Sequence, residues 1–272
     1  MRNRITITLK EDIIKEVDKL VNNLTIRSRS HAIEYLLSKA TSNYRINSAL
    51  ILAGGPAGKF TNNIHKCMQK VKDKPILENI ILYLKNQGIE NFVLLCDNMS
   101  NQITNYFLDG AKLGVNIKYL VAEGQKGPAS AIKSAKNLFD KTFLVWYGDT
   151  LCKIDLTDMI RTHNDNKSIV TIALTTVSNP LSYGVVKMRG NRITDFVEKP
   201  QKKIAESFLV SSGIFLAEPE IFKYISSEMK SLEFDLFPKL AKKNLLVGYP
   251  FEGMWLNVNN KNELQKANAL WK

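Results

Sequence analysis

Two short stretches of this chain combine residue types suited to phosphate and metal chemistry. In LAGGPAGKF, Gly54, Gly55 and Gly58 let backbone amides approach an anion closely, and Lys59 adds positive charge. The spacing is neither GxxxxGK[ST] nor GxGxxG, and a plain glycine-rich strand exit has the same composition, so this turn alone leaves both readings open. In WYGDT, Asp149 follows an apolar run. A carboxylate there is costly unless a cation or hydrogen-bond donors meet it, and magnesium is a natural partner. No Ser/His/Asp or Cys/His arrangement offers a nucleophile, and the three histidines read as incidental. Cys67, Cys96 and Cys152 are widely spaced without a CxxC, which predicts reduced core residues rather than a disulfide framework or a zinc site.

The elements that must carry these residues follow from apolar patterning. From about Asn47 onward, strand-like runs (SALILA, NFVLLC, IKYLV, TFLVWY) alternate with helix-like segments (PILENIILYLKN, NQITNYFLD, PASAIKSAKNLF). That alternation predicts right-handed βαβ units and a Rossmann-like, doubly wound, mostly parallel α/β sheet, with ligands at the carboxyl ends of its strands. Both candidate stretches fall at such ends. After Ser168 the strands come closer together (SIVTIALTTV, YGVVKM, RITDFVEK, FLVSSGIFLA), which predicts an antiparallel or mixed extension. A last helix is expected from about Asn262 to Trp271.

Residues 1–44 read as a separate domain, with the large one at 48–272. RITITL alternates strictly, with Ile5, Ile7 and Leu9 on one face and Arg4, Thr6 and Thr8 on the other, as in a half-buried strand. Two helices follow, the first with a stripe of Ile13, Ile14, Val17, Leu20 and Val21. The second opens at an expected Ser28 N-cap and carries Ala32, Ile33, Leu36, Leu37 and Ala40. One strand with two helices leaves backbone groups unpaired and too small a core, so a second chain is expected to complete it, giving a homodimer or a higher even oligomer.

Composition agrees with a globular protein: of 272 residues, 44% are hydrophobic and 24% charged. No run of 18 apolar residues and no signal-like apolar core is present, so neither a membrane partner nor export is expected, and a cytoplasmic location is. A net charge of +12 favours anionic partners, nucleic acid and phosphorylated small molecules alike.

Residues 3–41, with strand, two helices and the RSRS turn in order, resemble the ribbon-helix-helix family of DNA-binding domains. The resemblance implies that Arg4, Thr6 and Thr8 face base edges in the major groove of double-stranded DNA, while amides around Ser28, Arg29 and Ser30 hold a phosphate. A ribbon that only pairs two subunits would carry the same pattern.

The larger domain resembles the sugar-1-phosphate nucleotidylyltransferases, from about Leu50 to Ala269. LAGG, KCM at Lys66, KPILENII at Lys74, GPASAI at Gly127, YGD at Tyr147, YGVV at Tyr183, FVEKP at Phe196, SSGIF at Ser211, FDLFPKLA at Phe234 and GMWLNV at Gly253 occur in that family's order. The resemblance implies transfer of a nucleotidyl group from a nucleoside triphosphate to a sugar 1-phosphate or similar phospho-compound, with pyrophosphate released and Mg2+ as cofactor. It implies a nucleotide site at Leu52, Ala53, Gly54, Gly55 and Gly127, catalytic Lys59, Lys66 and Asp149, and a sugar-phosphate site at Glu198, Lys199 and Gly213. Three departures stand out: Lys59 replaces the family's phosphate-gripping Arg, His65 replaces the proline before Lys66, and Asn257 replaces the second metal-binding Asp beside Asp149. A neutral amide weakens magnesium binding, so a nucleotide or sugar-nucleotide sensor that regulates transcription stands as the alternative to an enzyme.

Overall fold

A computed structural model describes residues 5–21, 26–42, 45–54, 60, 64–96, 101–121, 128–201, 206–226 and 228–272. The chain divides into two units, Met1–Arg45 and Ile46–Lys272. In the small unit, α1 (Glu11–Lys19) opens on Glu11 and Asp12, which complement its positive N-terminal dipole. The second helix, α2 (Arg29–Ser42), is capped by Ser28, whose hydroxyl accepts from the His31 amide at 3.2 Å. A bidentate ion pair joins the helices, Arg29 Nε and Nη2 to the two Asp18 carboxylate oxygens at 2.7 Å each.

Within one chain, residues 5–10 of the segment expected to pair with a second copy carry no ladder. A strand exists only when a neighbour takes its amides and carbonyls, and no described segment of this unit does so. The helical stripes are also less buried than their periodicity suggests. Val17 and Ala32 are buried, whereas Ile13, Leu36 and Leu37 are exposed, as are Ile5 and Ile7 ahead of α1.

In the large unit the elements follow one another as β1 (Ser48–Leu52), β2 (Lys70–Val71), β3 (Lys74–Pro75), α3 (Ile76–Asn86), β4 (Asn91–Cys96), α4 (Asn101–Phe107), β5 (Asn116–Val121), α5 (Pro128–Ser134), β6 (Phe143–Tyr147) and β7 (Thr150–Cys152). Next come α6 (Leu156–Asp165), β8 (Val170–Thr176), β9 (Gly184–Arg189), β10 (Arg192–Glu198), β11 (Leu209–Ala217), α7 (Phe237–Lys242), β12 (Leu246–Pro250), β13 (Trp255–Asn257) and α8 (Lys261–Leu270). Nine of these strands form one sheet in the order β5-β4-β1-β6-β11-β8-β12-β10-β9.

The first four strands of that order are parallel, as the βαβ alternation predicts. β1, β4 and β6 are apolar almost throughout because both faces of a parallel sheet are covered. The expected mixed extension is also present. β11 runs antiparallel to β6 and β8, β12 runs parallel to β8, and the β9–β10 hairpin closes the edge. The core gathers on this sheet, with Trp146, Phe143, Phe215 and Phe237 almost wholly buried and Phe139 stacked on Phe143 at 4.1 Å. Burying each such ring contributes about 1.5–3 kcal/mol.

Cys67, Cys96 and Cys152 are free and buried, as expected of core residues. His163 is buried on α6, with one ring nitrogen 2.8 Å from Thr171 Oγ1 and the other 2.9 Å from Glu218 Oε1. That network ties α6 to β8 and holds the Glu218 carboxyl below the usual range. Among the described residues, no helix is long and apolar enough to cross a membrane.

Candidate active site

The carboxyl ends of β1 and β6 meet at close quarters. The Gly148 amide donates to the Leu52 carbonyl at 3.0 Å, and the Ala53 amide donates to the Leu95 carbonyl at 2.9 Å. A Cβ on Gly148 would fall 2.9 Å from Cys67 Sγ and 3.3 Å from Ala53 Cα, so only glycine lets the YGD turn pass this close to the β1 exit. Leu52 and Ala53 are buried at that exit and Gly54 follows partly open; Gly55, Lys59 and Gly127 lie outside the described residues.

Asp149 sits two residues beyond the end of β6 and is 5% exposed. Its partner is Lys66: Nζ stands 2.7 Å from Asp149 Oδ2, and both side chains are largely buried. A buried pair of this kind compensates charges that neither residue could carry alone. Lys66 is delivered by a single turn, Lys66–Met68, that His65 organises. The imidazole Nδ1 accepts from the Cys67 amide at 3.2 Å, and the His65 amide donates to Gln102 on α4 at 2.8 Å. His65 is therefore a positioning residue, which corrects the reading of all three histidines as incidental.

A small clip brings Asn257 to the same place. β7 and β13 pair antiparallel with Thr150 opposite Asn257, one residue from Asp149, and the Val258 amide donates to the Asp149 carbonyl at 2.9 Å. Asn257 Oδ1 in turn accepts from the Asn259 side-chain amide. Asn260 then caps α8 by accepting from the Glu263 amide at 3.0 Å, while Glu263 reaches back to the Asn259 amide at 2.7 Å.

The opposite wall comes from the mixed extension. Glu198 ends β10 across from Gly184, where a Cβ would meet Glu198 Oε2 at 2.9 Å and Phe196 at 2.4 Å. Lys199 follows in a left-handed conformation (φ 44°), its amide donating to the Tyr183 carbonyl at 3.0 Å and its ammonium 3.7 Å from Glu198. Gly213 is also left-handed (φ 77°), at a register shift in β11, and lies against the Tyr147 ring. The Tyr147 hydroxyl donates to Glu233 Oε1, and Ser231 donates to Glu233 Oε2 at 2.8 Å. Burial, then the Glu233 charge, push Glu198 up to about 7, and the same causes keep the Tyr147 phenol protonated far above its ordinary range.

Together these walls enclose a cleft of about 550 Å³. Lys66, Asp149, Glu198, Lys199, Gly213 and Asn257 all line it, although they come from distant parts of the sequence. Leu52, Ala53 and Gly54 are not in its lining. Thr6, Thr8, Ser28, Arg29 and Ser30 belong to the small unit, and Arg4 lies outside the described residues. Among these, Arg29 is paired with Asp18.

Sequence reasoning missed Glu233, Tyr147 as a polar group, Ser212 and Trp255. The Trp255 indole donates to the Ser212 carbonyl at 2.9 Å, while the buried Ser212 hydroxyl has no protein partner. Tyr147 and Glu233 meet across 86 positions, so no local spacing announces them. The signal within reach was strand alternation: Tyr147 shares a face of β6 with Phe143 and Val145, yet ends in a hydroxyl that needs a partner. A more open cleft of about 890 Å³, lined by Lys72, Lys74, Lys153 and Trp271, lies elsewhere on this unit and holds none of the expected site residues.

Solved structures share the fold. A UDP-glucose pyrophosphorylase complexed with UDP-glucose superposes with a TM-score of 0.72 at 22% identity, covering 84% of this chain and 98% of that one. HddC from Yersinia pseudotuberculosis gives 0.72 at 21% identity, covering 84% and 100%. Among curated proteins, UTP–glucose-1-phosphate uridylyltransferase of Synechocystis sp. is 34% identical, with 77% of this chain and 59% of the relative aligned. Mannose-1-phosphate guanyltransferase beta-B of Xenopus laevis is 28% identical, with 77% and 60% aligned. The chain thus spans well under two thirds of the length of these relatives. The family model described as nucleotidyl transferase matches residues 48–272, the whole of the sheet and cleft described above, and the chain belongs to that family of sugar-1-phosphate nucleotidyltransferases.

Proposed function

We propose that the large unit transfers a nucleotidyl group from a nucleoside triphosphate to the phosphate of a sugar 1-phosphate or related phosphomonoester. An acceptor phosphate oxygen forms a bond to the α-phosphorus, the bond from that phosphorus to the bridging oxygen breaks, and pyrophosphate leaves with the electron pair. Both reactants are anionic, so the protein's part is alignment and charge neutralisation rather than covalent chemistry. The observation that carries this reading is the buried Lys66–Asp149 pair at the carboxyl end of β6, facing Glu198 and Lys199 across one cleft.

Lys66 is placed to leave Asp149 for the triphosphate, and Lys199, more than half exposed at the rim, to meet the acceptor phosphate. At the β1 exit, where the Leu52 carbonyl and Ala53 amide already pair with Gly148 and Leu95, Gly54 is the residue whose backbone is left for the nucleotide. The donor set fits magnesium held by one carboxylate, Asp149, and an amide oxygen, Asn257, with substrate phosphates completing the shell. When bound, the ion draws charge from the phosphates. The test is pyrophosphate release from a panel of triphosphates and sugar 1-phosphates; no release with any pair would defeat the reading.

A second proposal concerns the small unit, where exposed Ile5 and Ile7 alternate with Thr6 and Thr8 beside a core built on Val17 and Ala32. An apolar row of this kind is completed by the same segment of another copy, giving an antiparallel ribbon that presents the threonines to duplex DNA. Salt-dependent duplex binding by the full chain tests it. In that case nucleotide occupancy alters DNA affinity only if the ligand distinguishes two arrangements of the dimer.

A further inference from the structure

Tyr147 is the last residue of β6, two positions before Asp149. A phenol withdrawn from water needs an acceptor, and Tyr147 finds one 86 positions away in Glu233 Oε1. Burial and the Glu233 charge keep that phenol protonated, so it stays a donor. A hydrogen bond onto a carboxylate is about twice as strong as one between neutral groups. The pair therefore fixes the far end of the Tyr147 ring.

Glu233 is itself pinned. It stands in the turn Leu232–Leu236, whose two leucines are wholly buried. Ser231 Oγ donates to Glu233 Oε2 at 2.8 Å and accepts from the Glu233 and Phe234 amides at 3.1 and 3.2 Å. Asp235 Oδ2 accepts from the Lys230 and Ser231 amides at 2.8 and 2.9 Å, and the Lys230 carbonyl accepts from the Ala129 amide on α5 at 3.3 Å. At the other end of the contact, the Tyr147 ring backs Gly213. A Cβ built there would stand 3.2 Å from Tyr147 Cδ2 and 3.4 Å from Cγ, at the register shift where β11 leaves its ladder. Tyr147, Gly213, Ser231 and Glu233 all line the one cleft.

Building on the transferase reading, in which the Gly213 wall receives the acceptor, we propose that Glu233 and Tyr147 form a strut that positions this wall. Glu233 is then a positioning residue that acts through the Tyr147 ring on Gly213. Three roles for this acid make different demands. A carboxylate that gripped a sugar hydroxyl directly would not need the phenol. One that acted by charge alone would not tolerate Gln. The strut needs both ends, and between them only the hydrogen bond.

The test uses the full chain, with glucose 1-phosphate, mannose 1-phosphate and glucosamine 1-phosphate as acceptor probes and α,β-methylene analogues of UTP, GTP and ATP as nucleotide probes. Calorimetry gives each affinity, and pyrophosphate release is followed separately with the natural triphosphates. Glu233→Ala and Tyr147→Phe are each expected to weaken the best-bound acceptor about tenfold, the scale of one hydrogen bond to a charged group, and the nucleotide less than about twofold. Together they are expected to cost about as much as either alone, because both remove the same contact. Glu233→Gln, which still accepts from the phenol, is expected to stay within about threefold of wild type. The inference is overturned by unchanged acceptor affinity in Tyr147→Phe, by a loss in Glu233→Gln as large as in Glu233→Ala, or by additive losses in the double change. Equal losses for nucleotide and acceptor overturn it too, as does a wild-type chain that binds no acceptor. In each of these cases pyrophosphate release by the wild type leaves the transferase reading standing. The expected affinities without release from any pair would remove that reading and keep the strut.

Discussion

Lys66 and Asp149 hold each other in a pocket where either charge alone is expensive. Lys66→Ala is expected to cost about 3–5 kcal/mol in urea unfolding, because it strands a buried carboxylate. The double change Lys66→Met with Asp149→Leu is expected to be closer to wild type than the single one; additive losses would show that the pair is not what stabilises this corner. The same Lys66→Ala chain is expected to release pyrophosphate about 10²–10³-fold more slowly, the usual penalty for losing one aimed donor at a charged transition state. Glu198 gives a pH-dependent counterpart. Its folded value, about 7, is raised from the ordinary 4.5, so the native state binds the extra proton between those values. Its contribution is therefore favourable below about pH 4.5 and is lost as pH rises to about 7. Glu233 and Lys199 face this group, and Glu233→Gln is expected to narrow the window. Wild-type urea midpoints are expected to fall across it relative to Glu198→Gln; parallel profiles would count against the assignment.

At the scale of elements, the sheet was largely legible and the site was legible in halves. Continuous apolar runs such as NFVLLC, bounded by polar segments, betray a parallel strand covered on both faces, and the closer spacing beyond Ser168 betrays the mixed extension. Asp149 after β6 could be placed from the same logic, whereas Glu198, at the end of β10, was marked only by the family resemblance. Glu233 could not, since it enters through an irregular turn, Leu232–Leu236, whose placement depends on how Ser231 caps it. Nor could the RITITL segment, because alternation specifies which face is apolar without specifying a partner. Gly213 tests the element-level account. Its φ of 77° disfavours a side chain, and an added Cβ would stand 3.2 Å from the Tyr147 ring. Gly213→Ala is expected to cost about 1–3 kcal/mol and to weaken acceptor binding more than nucleotide binding. Equal losses for both substrates would place Gly213 outside the acceptor wall.

For the whole molecule, the two units differ in how much apolar surface they cover. The large unit buries a continuous core, whereas the small one leaves Ile5 at 72% and Ile7 at 49% exposure. Ile5→Asp with Ile7→Asp in the full chain is expected to lower the mass measured by sedimentation from an even oligomer to a monomer, with pyrophosphate release retained. An unchanged mass would mean that the assembly does not run through this segment.

The β7–β13 clip has a consequence for biosynthesis. It seats Thr150 opposite Asn257, so one half of the proposed catalytic corner waits for a stretch made long after the other. Closing so wide a loop carries an entropic cost that the contacts of the docked clip must offset. A growing chain on the ribosome can therefore assemble the early βαβ layer while its reactive corner is still open. The corner closes only as residues 255–257 dock.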